Sequence, residues 1–116
     1  MTTNKNYLRI GQVSLDLSKY TGTDAYSDGS IEEEMLEIAQ AGQTEEALQR
    51  DNRWPILYHF SPTRENLLSW YPFAKHCRIL EIGMGCGGIT GLLARKADRL
   101  DTVELSLRRA KIAAYR

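Results

Sequence analysis

The sequence predicts an α/β fold, and two observations carry this prediction. From Arg78 onwards the chain alternates between strand-like and helix-like segments, in the order RILEI, ITGLLARKA, DTVEL and SLRRAKIAAYR. Four glycines fall between the first strand and the first helix of this series. Strands that are joined by a helix lie parallel in one sheet. We therefore divide the chain into a small N-terminal strand and helix segment, residues 1–76, and the start of a parallel α/β domain, residues 77–116.

The N-terminal segment opens with two predicted strands. The first, YLRI, is rich in apolar residues. The second, VSLDL, alternates and places Val13, Leu15 and Leu17 on one face, which is typical of a half-buried strand. The following stretch, TGTDAYSDG, is rich in Gly, Thr, Ser and Asp, and this composition predicts a loop.

Two helices are predicted after this loop. Ser30 and Glu33 have the spacing of a capping box, and the apolar stripe behind them ends near Gly42. Thr44 is predicted to cap a second, short helix that runs through Arg50. The acidic residues of the first helix are expected to solvate its outer face: Glu32, Glu33, Glu34 and Glu37.

The segment NRWPILYHF leaves one choice open, because Pro55 either begins a helical turn or bounds an extended piece. Ser61 and Pro62 form a clearer signal, since Ser is favoured at the N-cap and Pro at the first helical position. The helix that they begin is predicted to run to about Trp70. Leu67, Leu68 and Tyr71 are expected to face the core. Trp54 and Trp70 are expected to be core or packing residues rather than a base-stacking platform.

Composition excludes several classes of protein. The chain has 116 residues and a formal net charge of zero, so its overall charge does not attract nucleic acid or an anionic membrane. No apolar stretch approaches about 18 residues and no signal-peptide pattern is present, so we expect no membrane span and, by default, a cytoplasmic location. Cys77 and Cys86 are too few for a disulfide framework and match no zinc spacing, so no metal is expected.

Charge is distributed unevenly along the chain. Residues 1–60 carry five Lys/Arg against ten Asp/Glu, whereas residues 90–116 carry seven against three. The basic end fits either contact with an acidic partner or a solvated helix that complements its own dipole, and the second interpretation is favoured. Charge alone therefore identifies no partner.

The glycines before the first helix of the parallel domain predict a ligand-binding turn, because bare backbone there approaches a ligand at the carboxyl end of the strand. Gly83, Gly85 and Gly88 fit the G-x-G-x-x-G spacing of dinucleotide-binding loops. Gly83, Gly85 and Gly87 fit G-x-G-x-G equally well. Glycine spacing alone leaves both ligand classes open. We expect Cys86, inside this turn, to be a small filler rather than a nucleophile.

Two acids decide between the ligands. Glu81 lies two residues before Gly83, where a carboxylate would repel a pyrophosphate and attract an ammonium or sulfonium group. Glu104 ends the second parallel strand, where an acid accepts the hydroxyls of a ribose. An adenosyl group with a positively charged amino-acid tail satisfies both acids, and S-adenosylmethionine is such a molecule.

The stretch ILEIGMGCGGITGLLARKADRLDTVELS resembles the cofactor-binding half of class I S-adenosylmethionine-dependent methyltransferases. The resemblance implies that the parallel domain is the first β-α-β-α portion of a Rossmann-like methyltransferase sheet. It also implies that Glu81 contacts the methionyl amine and that Glu104 holds the ribose. The implied cofactor-binding residues are Glu81, Gly83, Met84, Gly85, Gly87, Glu104 and Leu105.

Three further stretches, YSDGSIEEEMLEI, RWPILYHFSPTRENLLSWYPF and ELSLRRAKIAAYR, resemble bacterial methyltransferases associated with glycosyltransferase modules in surface-polysaccharide clusters. This resemblance implies that residues 1–76 cover the cofactor cleft and that the acceptor is a glycan or its precursor. It makes Tyr58, Ser61 and Arg64 candidate contacts for the cofactor's carboxylate or for the substrate. A helix N-cap and a surface Arg are the simpler interpretations of Ser61 and Arg64.

The resemblance also indicates what the 116 residues lack. The third-strand acid that meets the adenine and the fourth-strand motif that positions the substrate do not occur before Arg116. We therefore expect a truncated fold, inactive alone, with unknown catalytic residues and with either self-association or a missing C-terminal half. Two alternatives stay open: an NAD-binding fragment of an oxidoreductase, and a non-catalytic Rossmann-like binding module.

Overall fold

The structure, a computed structural model, describes residues 6–24 and 26–116. It has a mixed α/β fold with two small sheets and several helices, which confirms the predicted α/β class. The strands are β1 (Tyr7–Ile10), β2 (Val13–Asp16), β3 (Arg78–Ile82) and β4 (Arg99–Val103). The helices are α1 (Ile31–Gln40), α2 (Thr44–Arg50), α3 (Trp54–Phe60), a 3-10 helix (Pro62–Leu67), α4 (Thr90–Lys96) and α5 (Leu107–Tyr115).

Both predicted N-terminal strands are present, and β1 and β2 pair as an antiparallel hairpin. Ile10 pairs with Val13 across a two-residue turn, and Gly11 in this turn has φ +58°, a conformation that such tight hairpins require. Leu15 and Leu17 are half-buried as expected, but Val13 is 41% exposed. The hairpin packs on α5 through β1, so the start of β2 faces solvent.

α1 begins after Ser30, as predicted, but without the predicted capping box. Ser30 has helical angles, φ −61° and ψ −21°, and its hydroxyl makes no capping hydrogen bond. Glu32 Oε2 instead accepts a hydrogen bond from the Asp28 amide at 2.6 Å. At the other end Gly42, with φ +67°, donates its amide to the Ala39 carbonyl at 3.1 Å. This left-handed glycine ends the helix where the sequence predicts.

α3 resolves the conformation of NRWPILYHF, because Pro55 lies in the first turn of a helix. Ile56, His59 and Phe60 are buried, at the spacing of one helical stripe. Trp54 lies outside this stripe and is 69% exposed, so of the two expected roles it is a packing residue and not a core residue: its ring centroid lies 5.0 Å from that of Tyr58. A helix of only seven residues has a single face towards the core, and the small buried stripe already fills it.

The 3-10 helix begins as predicted, with Ser61 Oγ accepting a hydrogen bond from the Thr63 amide at 3.3 Å. It ends at Leu67 rather than near Trp70. The Trp70 indole N–H donates a hydrogen bond to the Leu67 carbonyl at 2.9 Å, so this exposed ring satisfies the last carbonyl of the helix. Leu67 (62% exposed) and Tyr71 (48% exposed) were wrongly expected to face the core. Trp70, 71% exposed, is a packing residue, with its ring centroid 5.9 Å from that of Tyr71.

β3, α4, β4 and α5 follow in the predicted order, and β3 pairs with β4 in parallel. The register sets Glu81 opposite Thr102, so both strands end at the same edge of the sheet. α5 begins after Ser106, whose Oγ accepts a hydrogen bond from the Arg109 amide at 3.1 Å, as expected for an N-cap.

A hydrophobic core joins α1 and α3 of the N-terminal segment to the turn before α4 and to α5. Its buried residues are Met35, Ala39, Ile56, Phe60, Cys86 and Ile112. Residues from both sides of the predicted boundary after residue 76 therefore pack together, and the boundary itself stays a prediction. Within the described residues, no helix has the length and apolar character needed to cross a bilayer.

One face of the β3–β4 sheet is uncovered. Side chains alternate along both strands, and the outward row includes Leu80, Ile82 and Val103, which are 62%, 78% and 51% exposed. Parallel strands are usually covered by helices on both faces. Self-association, expected from the sequence, stays a prediction that this open face supports.

The loop after β2 is fixed to the start of α5 by Asp24. Its Oδ1 accepts a hydrogen bond from the Leu107 amide at 2.8 Å, and its Oδ2 accepts one from the Arg108 amide at 3.2 Å. The Tyr20 hydroxyl donates to the same carboxylate at 2.9 Å. Burial alone raises the pKa of Asp24, but the hydrogen bonds outweigh it and hold the pKa below its usual value.

Replacement of Asp24 by Ala should destabilise the fold by about 1–2 kcal/mol at neutral pH, because two amides of α5 lose their acceptor. Since the folded-state pKa is lowered, this contribution is fully present above the unfolded-state pKa of about 3.9. It is lost as the pH falls through the lower folded-state value. Urea unfolding of both proteins at neutral and at acidic pH measures the two effects.

Asp98→Ala is the matched control, because this exposed carboxylate pairs with the exposed ring of His76. Its removal should change the free energy of unfolding by less than about 0.5 kcal/mol. An equal loss in both variants would contradict the capping role of Asp24.

Candidate functional site

The turn between β3 and α4, residues 83–89, is the centre of the candidate site. Gly83, Gly85 and Gly87 have φ of +77°, +59° and +86°, in the left-handed region that favours glycine. At Gly87 a side chain would also lack space, since an added Cβ would lie 2.9 Å from the Cβ of Ala113. Glycine at this position therefore lets the turn lie directly against α5.

Backbone hydrogen bonds tie the turn to the end of β4. The amides of Gly83 and Met84 donate to the Val103 carbonyl at 2.8 and 3.3 Å. The Gly87 amide donates to the Met84 carbonyl at 3.1 Å, within the turn. The Met84 sulfur accepts a hydrogen bond from the Thr102 hydroxyl at 3.2 Å. The amides of Gly83, Met84 and Gly87 thus form hydrogen bonds inside the protein rather than pointing towards a ligand.

Glu104 lies against the turn, as the sequence predicts for an acid at the end of β4. Its Oε2 accepts a hydrogen bond from the Gly85 amide at 2.7 Å, and its Oε1 accepts a longer one from the Ser106 amide at 3.4 Å. The side chain is half-buried, and Leu105 beside it is 71% exposed. Because a carboxylate accepts about four hydrogen bonds, Glu104 keeps acceptor capacity for a ligand.

Glu81 is held at the same edge of the sheet by the first residue of α4. The Thr90 hydroxyl donates to Glu81 Oε1 at 2.7 Å, and both side chains are half-buried. Sequence analysis missed Thr90. The available signal is a hydroxyl residue at the first helical position, nine residues after the acid. The structure therefore brings both predicted acids to the glycine turn.

Cys86 and Arg116 anchor the inner side of the turn. Cys86 is buried in the core, as expected for a small filler, and burial raises the pKa of its thiol to about 12. Such a thiol is no nucleophile at neutral pH. The Arg116 guanidinium donates to the carbonyls of Cys86 and His59 at 2.9 and 2.8 Å, and burial lowers its pKa. No sequence signal predicts this anchoring arginine.

Of the three candidate residues from the N-terminal segment, Arg64 reaches the turn, and Tyr58 contacts Arg64. The Arg64 guanidinium lies 4.6 Å from the centre of the Tyr58 ring. An added Cβ on Gly88 would lie 3.0 Å from Arg64 Nη1, so this side chain covers the turn at Gly88. Ser61 instead caps the 3-10 helix: its hydroxyl donates a hydrogen bond to the Thr63 hydroxyl and accepts one from the Thr63 amide.

A buried charge cluster beside the core links α1, α3 and α5. Arg109 donates two hydrogen bonds of 3.1 Å to Oε2 of Glu32, which is fully buried. His59 Nε2 lies 2.7 Å from Asp28 Oδ2, which also contacts Arg109 Nη2 at 3.4 Å. The prediction that Glu32 is solvated is wrong, because its partner comes from α5, far along the sequence.

The exposed side of the turn is formed by Gly83 and by the neighbouring Leu105, whereas residues 86–88 are buried. A groove of about 510 Å³ lies elsewhere, between α1 and α5, where Leu36, Arg108 and Lys111 are among the lining residues. Among residues 6–24 and 26–116, no group of three or more His, Cys, Asp or Glu side chains is arranged to hold a metal ion.

No protein-family model, no curated protein and no solved structure matches this chain.

Replacement of Gly87 by Ala should destabilise the fold by about 2–3 kcal/mol, because the residue has left-handed φ and its new Cβ would overlap Ala113. Gly91→Ala is the control, since an added Cβ at this position in α4 meets only the flexible side chains of Arg95, at 3.4 Å from Nη1, and Glu65, at 3.9 Å from Oε1. The control should be neutral or up to about 1 kcal/mol more stable. Urea unfolding compares the two. Equal effects would contradict the constraint at Gly87.

Replacement of Arg109 by Leu should destabilise the fold by about 3–5 kcal/mol, because Glu32 would keep a buried charge without its partner. Arg99→Leu removes a comparable pair with Asp101 that is solvent-exposed. This control should cost less than about 1 kcal/mol. Chemical unfolding followed by circular dichroism measures both, and a small loss in the Arg109 variant would show that the buried pair is not needed.

Proposed function

We propose that this chain is the cofactor-binding part of an S-adenosylmethionine-dependent methyltransferase with a Rossmann-like sheet. One observation carries the proposal: the Glu104 carboxylate accepts a hydrogen bond from the Gly85 amide at 2.7 Å, at the same edge of the sheet as Glu81. The parallel β3–α4–β4–α5 order and the left-handed glycines support the same assignment. The resemblance adds a glycan or its precursor as the expected methyl acceptor.

The two acids favour an adenosyl amino acid over a dinucleotide. At an effective dielectric constant of about 20, two like unit charges about 4 Å apart repel each other by about 4 kcal/mol. A pyrophosphate at the turn would face this repulsion from Glu104 and Glu81. The amides of Gly83, Gly85 and Gly87 already donate within the protein, so they are not available to a pyrophosphate. The NAD-binding alternative is therefore disfavoured.

The chain's own residues have separable roles in this proposal. Glu104 accepts hydrogen bonds from the ribose hydroxyls with the acceptor capacity that Gly85 and Ser106 leave. Glu81, fixed in orientation by Thr90, attracts the ammonium group of the methionyl end. The glycines allow the ligand to approach the backbone. Leu105 and Met84 flank the site, at the surface and in the turn respectively.

The bound cofactor supplies an electrophilic methyl group on a sulfonium centre. The protein contributes to such a transfer chiefly by holding the two reactants in line. The described residues provide the cofactor side of this arrangement, and the acceptor-positioning group is not among the residues assigned here. The remaining alternative, a non-catalytic binding module, differs in predicting no affinity for the cofactor.

Isothermal titration with S-adenosylhomocysteine and, separately, with NAD tests the proposal. We expect the adenosyl ligand to bind and NAD to bind at least tenfold more weakly. Glu104→Gln should weaken S-adenosylhomocysteine binding by about 10- to 100-fold, because a charged acceptor of the ribose hydroxyls is lost. The Gln side chain retains a carbonyl for the Gly85 amide, which favours retention of the turn.

Glu45→Gln is the matched control, because this acid lies on the exposed surface of α2. It should leave the affinity unchanged, and circular dichroism should show that both variants are folded. Tighter binding of NAD than of S-adenosylhomocysteine would overturn the proposal. Absence of binding of either ligand to the folded wild-type protein would favour the non-catalytic module.

A further inference from the structure

The segment between the 3-10 helix and β3 carries aromatic side chains that the candidate site does not use. Leu67, Trp70 and Tyr71 are exposed, and Phe73 beside them is half-buried. The ring centroids of Trp70 and Tyr71 lie 5.9 Å apart, and those of Tyr71 and Phe73 lie 4.8 Å apart. We call these four residues the aromatic cluster. Exposed apolar side chains that lie together in this way are typical of an interaction surface.

The orientation of the rings indicates which phase the aromatic cluster suits. Trp70 and Tyr71 meet at 72°, and Tyr71 and Phe73 meet at 67°, so both pairs are edge-to-face. Successive nucleobases stack on a row of aromatic faces, which edge-to-face neighbours do not present. The Trp70 N–H already donates to the Leu67 carbonyl at 2.9 Å, so the indole leaves water without losing a hydrogen bond. This geometry favours entry into an apolar phase over base stacking.

The chain that carries the aromatic cluster leads into the amino edge of the β3–β4 sheet. Lys75 follows the cluster by two residues, and Arg78 is the first residue of β3. The Cys77 thiol donates a hydrogen bond to the carbonyl of Lys96 at 3.6 Å, so the end of α4 lies beside the same segment. We call the three exposed cations Lys75, Arg78 and Lys96 the basic edge. The glycine turn lies at the opposite, carboxyl edge of these strands.

The acids near the basic edge have other partners. Asp98 pairs with His76 and Asp101 pairs with Arg99, both at 2.9 Å. Within the part of the chain that the structure describes, no ion pair includes a residue of the basic edge. The positive charge of this edge is therefore not neutralised by the protein's own carboxylates in direct contact.

Exposed aromatic rings next to cations match the chemistry of an anionic bilayer surface. Trp and Tyr are enriched where headgroups meet hydrocarbon, because their rings are apolar and their tips are polar. Lys and Arg attract anionic headgroups when they lie close to them. Since charges are screened over about 8 Å at physiological ionic strength, a local cluster acts on a surface even though the net charge of the chain is zero.

We propose that the aromatic cluster and the basic edge form a docking surface for an anionic lipid bilayer. The rings enter the boundary between headgroups and hydrocarbon, and the cations contact the anionic headgroups. This contact is peripheral, and it directs the amino edge of the β3–β4 sheet towards the lipid and the glycine turn away from it. The inference goes beyond the proposed function and does not depend on cofactor binding.

Sedimentation of the protein with lipid vesicles tests the proposal, using phosphatidylcholine alone and phosphatidylcholine with an equal amount of phosphatidylserine. We expect at least about tenfold tighter binding to the vesicles that contain phosphatidylserine, and weaker binding at high salt. Trp70→Ala should weaken this binding by about tenfold, because the ring no longer enters the bilayer. Trp54→Ala is the matched control, since this equally exposed indole lies on α3, and it should leave the affinity unchanged.

The contribution of charge is tested with a second matched pair. Lys75→Gln should weaken binding to the phosphatidylserine vesicles by about fivefold. Lys19→Gln removes an exposed cation from the loop after β2 and should have no effect. Circular dichroism should show that all four variants are folded.

Fluorescence gives a readout that requires no change at the docking surface. The chain has two tryptophans, so Trp54→Phe leaves Trp70 as the single indole. Its emission should shift to shorter wavelength when phosphatidylserine vesicles are added. No shift, no preference for the anionic vesicles, or equal losses in the Trp70→Ala and Trp54→Ala variants would each overturn the proposal. It would also be overturned if Trp70 responded only to single-stranded RNA, or only to raised protein concentration, because the surface would then bind nucleic acid or a second copy of the chain.

Discussion

The ion pair between Arg109 and the fully buried Glu32 is the contact on which the candidate site depends. A buried carboxylate requires a charged or hydrogen-bonding partner, so this pair fixes α5 against α1. Ala113, one turn further along α5, then lies so close to Gly87 that only glycine fits there. The glycine turn is thereby set at the end of β4, where one of its amides holds Glu104. A charge pair outside the site thus determines where the site lies.

Local sequence signals predict much of the fold, because they act over only a few residues. The left-handed Gly42 at the end of α1 and the Ser106 cap of α5 belong to this class. The burial of Glu32 does not, since its partner is 77 residues away and the same acids on an isolated helix would be solvated. Whether Trp54 lies in the core or packs at the surface could not be predicted for a related reason: apolar character favours burial, but a seven-residue helix has room for only one buried stripe.

The same distinction applies to the site. The positions of Glu81 and Glu104 follow from the rule that parallel strands end at one edge of a sheet, and the structure brings both to the turn. The contact of Arg64 with Gly88 and the anchoring of the turn by Arg116 do not follow from any local pattern. Each joins segments whose relative position is set by the core, so packing had to be known before these contacts became visible.

The uneven charge along the sequence is explained largely inside the molecule. The acidic half supplies Asp24 and Glu32, which bind the amides at the start of α5 and its Arg109 side chain. The basic end therefore meets acids of its own chain, and no external acidic partner is required to account for it.

The charges around the glycine turn are not paired in this way, because Glu104 and Arg64 have no ion pair with each other or with a neighbouring helix among the described residues. With a net charge of zero, long-range steering is weak, so selectivity for a ligand has to arise from these local charges. Their mixed sign favours a zwitterionic ligand over a purely anionic one, which is the physical basis for preferring an adenosyl amino acid to a dinucleotide.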